Sequence, residues 1–397
     1  MRQLPTRTAD VVIVGAGVQG TALALHLARR GARVAVLDRA SVGAGATGSS
    51  SGFVRMHYDL LLESELAWRS FPWFTDWSER VGDGDCGFVR TGFLQLVPPG
   101  EADALRANVA AQQGIGIETS VISASDAAAL VPGLRVDGVG VGAWEPRSGY
   151  ADPTGTAAGL LAAARRHGAT YAGGVTVTSI RVESGRVTGV ATDAGDLASP
   201  VVVDAAGAWA ADLAHTAGVD LPVVPWRHDT AYLGLPADRP DGIPIVLDHA
   251  RSVYFRPEGR DLLLVGLEDG NETGGSPDRP LGTPDDGLMA TLVDRVVSRV
   301  PWMAGGDFRS AARGQDGMTP DQRPILGPVG DAGPDGLVLC CGFSGTGFKT
   351  APAIGESLAE WILDGEPRTI DLRRFGLDRF AAGRLVEGEH PYQSLWR

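Results

Sequence analysis

The sequence has almost no lysine: of its 35 lysine and arginine side chains, a single one, Lys349, is lysine. Cysteine is nearly as scarce. The three present, Cys86, Cys340 and Cys341, have no metal-ligand spacing and are too few and odd in number for a disulfide framework, so reduced, buried thiols and no metal are expected. Long hydrophobic runs are absent too. The longest, such as VVIVGAG and GLVLCCGF, fall well short of the ~20 apolar residues a membrane span needs. The stretch before Val11 carries two arginines and an acid and has no apolar core of signal-peptide length. No basic cluster interrupts a net charge of -13, a field that repels phosphates and argues against a nucleic-acid partner. Together these absences point to a cytoplasmic protein with neither membrane nor nucleic acid as partner.

What is present is a large apolar content, 44% of 397 residues, enough for roughly two to three domain-sized units. Residues 11–20, VVIVGAGVQG, place Gly15, Gly17 and Gly20 at G-x-G-x-x-G spacing behind a β-branched run. A helical pattern, TALALHLARR, follows and stops at Gly31; a second apolar run, RVAVLD, ends in Asp38. Strand, glycine turn, helix, strand and acid in this order form a dinucleotide-binding unit. Gly15 permits the tight turn, Gly17 lets backbone approach a pyrophosphate, and Gly20 lets helix and strand pack closely. The helix N-terminus offers N–H groups to phosphate, and Asp38 can accept from ribose hydroxyls.

After Asp38 comes GAGATGSSSG, residues 43–52, whose small residues let backbone N–H groups and the hydroxyls of Thr47, Ser49, Ser50 and Ser51 converge on a ligand. It leads into FVRMHYD, with Arg55, His57 and Tyr58. Later, 175–207 reads as short alternating strands with glycine turns ending at Gly207, and 337–365 as strand LVLCC, loop GFSGTGFKT and helix APAIGESLAEWILDG. The segment LLESELAWRSFPWFTDWSERV reads as a long helical region whose Trp68, Phe71, Phe74 and Trp77 form a core stripe. Two stretches of different character, 86–148 and 218–305, carry further alternating strands.

Five motifs in order, VVIVGAGVQG with Asp38, SSSGFVRMHY, VVVDAAGAWA, MTPDQRPILGP and GFSGTGFKTAPAIGE, resemble the D-amino-acid oxidase superfamily of flavoproteins, in its sarcosine oxidase and dimethylglycine dehydrogenase branch. The resemblance implies an α/β, two-domain flavoprotein: a Rossmann-type FAD-binding domain (1–85, 149–217 and 306–397) interleaved with an antiparallel-sheet substrate domain (86–148 and 218–305). It implies that Gly15, Gly17, Val18, Gln19, Gly20, Asp38 and Arg39 hold the ADP part of FAD and that Val177 meets the adenine. Thr47, Ser50, Ser51, Arg55 and Gly207 would complete the cradle, with Gly345, Thr346, Gly347, Phe348 and Lys349 at the flavin's pyrimidine edge. Lys349 would also bind the substrate carboxylate. Arg55 lies beside the flavin, and Tyr254 forms a pocket wall. Lys349, Arg55 and His57 would form the catalytic set, although His57 and Tyr58 are either the region of a second carboxylate contact or a structural pair.

Departures from the family pattern sharpen the expectation. Gly314 stands where sarcosine oxidases carry the cysteine bonded to flavin, and no histidine lies between Gly43 and Met56, where dimethylglycine dehydrogenases attach theirs. FAD should therefore be non-covalent. Asp316 replaces the arginine clamp of glycine and D-amino-acid oxidases; it either faces a cationic group or stabilises a turn. Leu264 aligns with the lysine that activates O2 in monomeric sarcosine oxidases, so the acceptor is O2 or another oxidant. The expected activity is FAD-dependent oxidation of a small N-alkylated or cyclic amino acid, by hydride transfer to flavin N5, to an imine that hydrolyses. A 2-hydroxy-acid dehydrogenase, or a flavin subunit with a partner in an electron-transfer complex, are the alternatives.

Overall fold

A computed structural model describes residues 4–82 and 84–393; the outermost limits expected for the FAD-binding domain, at 1–3 and 394–397, lie outside them. Six strands form one sheet in the order Ile325–Pro328, Leu337–Cys341, Val201–Asp204, Val11–Val14, Val34–Asp38, Thr170–Gly173. All neighbours are parallel except Ile325–Pro328, which runs antiparallel to Leu337–Cys341. The strands are short and β-branched because both faces are covered, as parallel sheets require. Helices Val18–Arg29, Pro153–Arg166 and Gly347–Asp364 pack together on one face. Gly355 permits the contact between the first and the last: a Cβ there would stand 2.9 Å from the backbone of Ala22 and Leu23. The other face is covered by a three-stranded antiparallel sheet, Val177–Glu183, Arg186–Thr192 and Leu197–Ala198. Its hairpin turn, Ser184 and Gly185, has positive φ at both residues, matching the right-handed twist of the strands.

The second sheet has nine strands. Phe93–Val97, Ser120–Ser123 and Val141–Glu145 come from the first of the two intervening segments, and Val224–Gly234, Ile245–Asp248, Val253–Glu258, Leu262–Leu267 and Glu272–Thr273 from the other. It is mixed rather than purely antiparallel. Ile245–Asp248 runs parallel to Phe93–Val97. The two segments meet at this pair, and no hairpin joins them to impose an antiparallel direction. The ninth strand, Asp307–Met318, pairs along Val224–Gly234 although it falls within the third segment expected for FAD binding. Helix Asp286–Arg299 covers one face through Met289, Leu292 and Val296. The opposite face carries Phe93, Leu247, Tyr254 and Leu264.

The long helical region is interrupted: Leu61–Thr75 ends at Asp76, which leaves helical geometry, before the short helix Trp77–Arg80. Its Phe71, Phe74 and Trp77 are buried and Trp68 packs against them, and all three cysteines are buried thiols. Among the described residues no helix is long and apolar enough to cross a membrane.

Candidate active site

A cavity of about 490 Å³ runs between the two sheets. Its floor is the C-terminal edge of the parallel sheet, where Val11–Val14 is flanked by Val34–Asp38 and Val201–Asp204, the crevice in which open α/β sheets bind ligands. Gly15 makes the turn at φ +118, and a Cβ there would lie 2.2 Å from the Ala205 carbonyl oxygen. Gly20 does not line the cavity. It packs behind it, where a Cβ would meet the Gly15 carbonyl oxygen at 2.1 Å. Gly17, Val18 and Gln19 bring the helix N-terminus to the cavity. Asp38 shapes this end, accepting from the backbone N–H of Ala16 and of Ala40, each at 2.7 Å. Thr47 accepts the Val18 N–H at 3.0 Å, and Ser50, Ser51, Arg39, Val177 and Gly207 complete the wall.

A second helix N-terminus enters from the other end. Helix Gly347–Asp364 begins four residues earlier than the sequence pattern suggested, so Lys349 lies in its first turn and not in a preceding loop. Gln19 ties the two helices: its amide N–H donates to the Gly347 carbonyl at 2.7 Å. Gly345, Thr346, Gly347, Phe348 and Lys349 all line the cavity. Asp316 does too, as a brace for this loop, with Oδ2 accepting from Gly345 N–H at 2.8 Å and Oδ1 from Gly317 N–H at 2.7 Å. Ser344 takes a positive φ of 51° in the same turn, a strained conformation of the kind concentrated at functional loops.

Lys349 is 6% exposed and makes no hydrogen bond or ion pair among the described residues. Its Nζ stands 5.5 Å from the centre of the Tyr58 ring, and the Arg55 guanidinium carbon 4.3 Å from the same ring. Burial, and then repulsion from Arg55, hold its pKa well below the usual lysine range, with Glu63 acting in the opposite direction. Glu63 and Asp59 are themselves claimed by the fully buried Arg323, 2.8 Å from Asp59. Tyr254 lines the cavity, receives a hydrogen bond from Ser51 at 3.4 Å and stacks edge-on with Phe53.

Arg55 lines the cavity, whereas His57 and Tyr58 lie behind the wall. His57 is fully buried, its Nδ1 2.9 Å from Gln112 Oε1 and its Nε2 2.6 Å from the Tyr392 hydroxyl. Because the Gln112 amide donates to the Tyr58 carbonyl at 2.9 Å, its oxygen faces the His57 Nδ1–H, leaving Nε2 to accept from Tyr392. Burial pushes the imidazole down to about 3. Of the two readings of this pair, the geometry is that of a satisfied structural histidine.

Several wall residues were not anticipated. Trp209, Trp226, His228 and Asp278 face the cavity. Trp209 lies within VVVDAAGAWA, and His228 is the cross-strand partner of Gly314 in an alternating strand whose pattern does not show which face turns inward. A Cβ at Gly314 would stand 2.5 Å from Ser49 Cβ and 2.9 Å from His228 Nε2, so the imidazole occupies the room a side chain would need.

The donor set suits FAD: a glycine turn and helix N-terminus for a pyrophosphate, an acid beside them, and a second helix N-terminus at the far motif. Comparison with known proteins agrees. A family model described as "FAD dependent oxidoreductase" (DAO) matches residues 10–361. The chain is 31% identical over 393 residues to the mitochondrial sarcosine dehydrogenase of Homo sapiens, covering 94% of this chain and 42% of that protein. It thus spans less than half the length of that relative. Among solved structures, L-proline dehydrogenase from P. horikoshii superimposes with a TM-score of 0.87 at 26% identity, covering 96% of this chain and 100% of the other. Glycine oxidase from Geobacillus kaustophilus does so with a TM-score of 0.81 at 27% identity, covering 94% and 99%. The chain belongs to the DAO family of FAD-dependent oxidoreductases.

Proposed function

We propose that this chain is an amine oxidoreductase that oxidises the carbon beside nitrogen in a small amino acid, N-alkylated or cyclic, to an imine that water then hydrolyses. The observation that carries the reading is Lys349: a buried cation-forming group on the cavity wall, beside Arg55, with no ion-pair partner among the described residues. A substrate carboxylate supplies that partner. An ammonium on a flexible stem suits this corner, where the chain's usual planar guanidinium would need a wider approach. When bound, the flavin supplies the acceptor for the substrate's hydride.

The chain's own residues orient the substrate and set the charge around it. Lys349 and Arg55 direct the carboxylate, and Tyr254 with Phe53 walls off water. The first turn of Gly347–Asp364 presents a positive dipole end where negative charge develops. In this reading Asp316 acts as the brace of the loop, each of its oxygens accepting one backbone N–H, rather than as the partner of a substrate cation. His57 is left out of the catalytic set. The names of the relatives, sarcosine dehydrogenase and L-proline dehydrogenase, support an amine over a hydroxy acid. Leu264 favours a dehydrogenase with a protein or small-molecule acceptor over a fast oxidase, and the buried reduced thiols favour a cytoplasmic protein. The test is an anaerobic panel of N-methyl amino acids, L-proline, glycine and 2-hydroxy acids, scored by bleaching of the flavin absorbance. Bleaching by a secondary or tertiary amino acid is expected; bleaching by hydroxy acids alone would overturn the assignment.

A further inference from the structure

The nucleotide end of the cavity is closed by a segment from the large-sheet half of the chain. After strand Glu272–Thr273 the backbone turns through Gly274 and Gly275, both at positive φ, and continues through Ser276 and Pro277 to Asp278. Two buried side chains anchor this segment. Arg227 donates to the carbonyls of Gly274 (3.0 Å) and Ser276 (2.7 Å), and Gln315 donates to that of Pro277 (2.9 Å). Asp278 is thereby delivered to the cavity rim. There a single oxygen, Oδ1, accepts from the Arg39 guanidinium at 2.9 Å and from the Trp209 indole N–H at 2.8 Å. The Arg39 guanidinium carbon in turn stands 3.9 Å from the centre of the Trp209 ring.

Asp278, Arg39 and Trp209 all line the cavity at its Asp38 and Val177 end. Arg39 and Asp278 are 239 residues apart in sequence and lie in loops that follow strands of different sheets, so their pairing bridges the two halves across the cavity mouth. The pair is partly solvent-exposed and therefore modest in strength, yet one carboxylate oxygen fixes both the cation and the ring beneath it. We propose that Asp278 is the pin of a clasp over the adenine-nucleotide part of FAD, holding Arg39 and Trp209 as a cover that must open before the dinucleotide can leave.

The measurement is the rate of FAD release from the holoprotein, followed by the rise of flavin fluorescence after dilution. Asp278→Ala should release FAD about two- to fivefold faster than wild type, the change expected on losing one exposed, charge-assisted contact. The isosteric Asp278→Asn keeps the shape and one acceptor and should fall between the two. Raising salt from about 0.05 to about 0.5 M should speed release from wild type more than from Asp278→Ala, because only the former has the ion pair to screen. In the double variant Arg39→Ala/Asp278→Ala the loss of Asp278 should speed release by a smaller factor than it does in wild type, since only its contact with Trp209 then remains to be lost. Wild-type release rates in both Asp278 variants, or additive effects in the double variant, would overturn the clasp. If Asp278→Ala fails to fold, the release rate of Asp278→Asn and its weaker salt response relative to wild type decide in the same way.

Discussion

Lys349 Nζ stands 5.5 Å from the centre of the Tyr58 ring, with Arg55 against that ring as well. In the ligand-free protein burial and Arg55 depress the pKa of Lys349; a bound carboxylate opposes both influences and raises it. Above the free-protein pKa, binding must therefore take up a proton. The affinity of a simple carboxylate such as acetate, titrated through the flavin spectrum at pH values where the ligand is ionised, should be flat below the free-protein pKa of Lys349 and fall with rising pH above it, by up to about tenfold per unit. A profile with no alkaline loss would contradict the assigned pairing.

FAD should be held without a covalent bond. Gly314 offers no side chain, and a Cβ there would collide with Ser49 and His228. Acid precipitation should give a colourless pellet and a yellow supernatant. Colour retained in the pellet would show an attachment point that neither the glycine nor the histidine-free loop at 43–56 accounts for.

Reoxidation by O2 should be slow. Leu264 sits among Tyr254, Phe93 and Leu247, and its cross-strand neighbour Arg256 is paired to Glu258 at 2.5 Å and turned onto the Ser51 carbonyl. An ammonium introduced by Leu264→Lys should speed stopped-flow reoxidation by about tenfold or more, through electrostatic stabilisation of the developing superoxide. Wild-type reoxidation already as fast as the variant's would remove Leu264 from the account.

Asp204 gives a pH signature in stability. Its Oδ1 accepts from Ala206 N–H at 3.0 Å, its Oδ2 has no hydrogen-bond partner among the described residues, and burial pushes its pKa from 3.8 up to about 8. The unfolded chain loses this proton near 3.8 while the folded chain keeps it to about 8, so stability declines between those values and levels above them. Asp204→Asn removes the titration. The melting-temperature difference, variant minus wild type, should grow across that window; a difference independent of pH would sink the argument.

The glycine-turn end of the cavity was legible because most of its determinants are local. Gly15, Gly17, Gly20 and Asp38 fall within one strand, turn, helix and strand, and the contact that requires Gly20 lies in the same turn, although the close approach at Gly15 is to Ala205 of a distant strand end. The motif around Gly345 to Lys349 was legible as a segment that reaches the cavity, though not the helix start at Gly347, because glycine and threonine in a first turn look like loop in sequence. His57 shows where local reading stops. Its nitrogens are claimed by Gln112 and Tyr392, 55 and 335 residues away, and no pattern around position 57 announces either. The same holds for His228 and Asp278, which reach the cavity through strand register and a loop anchored by Arg227 and Gln315.

The central claim is that Lys349 receives the substrate carboxylate, and the dissociation constant of a verified amino-acid substrate in Lys349→Met tests it most directly. Methionine keeps the length and apolar stem but deletes the charge, leaving the buried carboxylate half-paired at a cost of roughly 2 to 5 kcal/mol. Affinity measured anaerobically should fall by at least about thirtyfold, with FAD still bound, as that cost requires. Unchanged affinity in a fully flavin-loaded Lys349→Met protein would contradict the account.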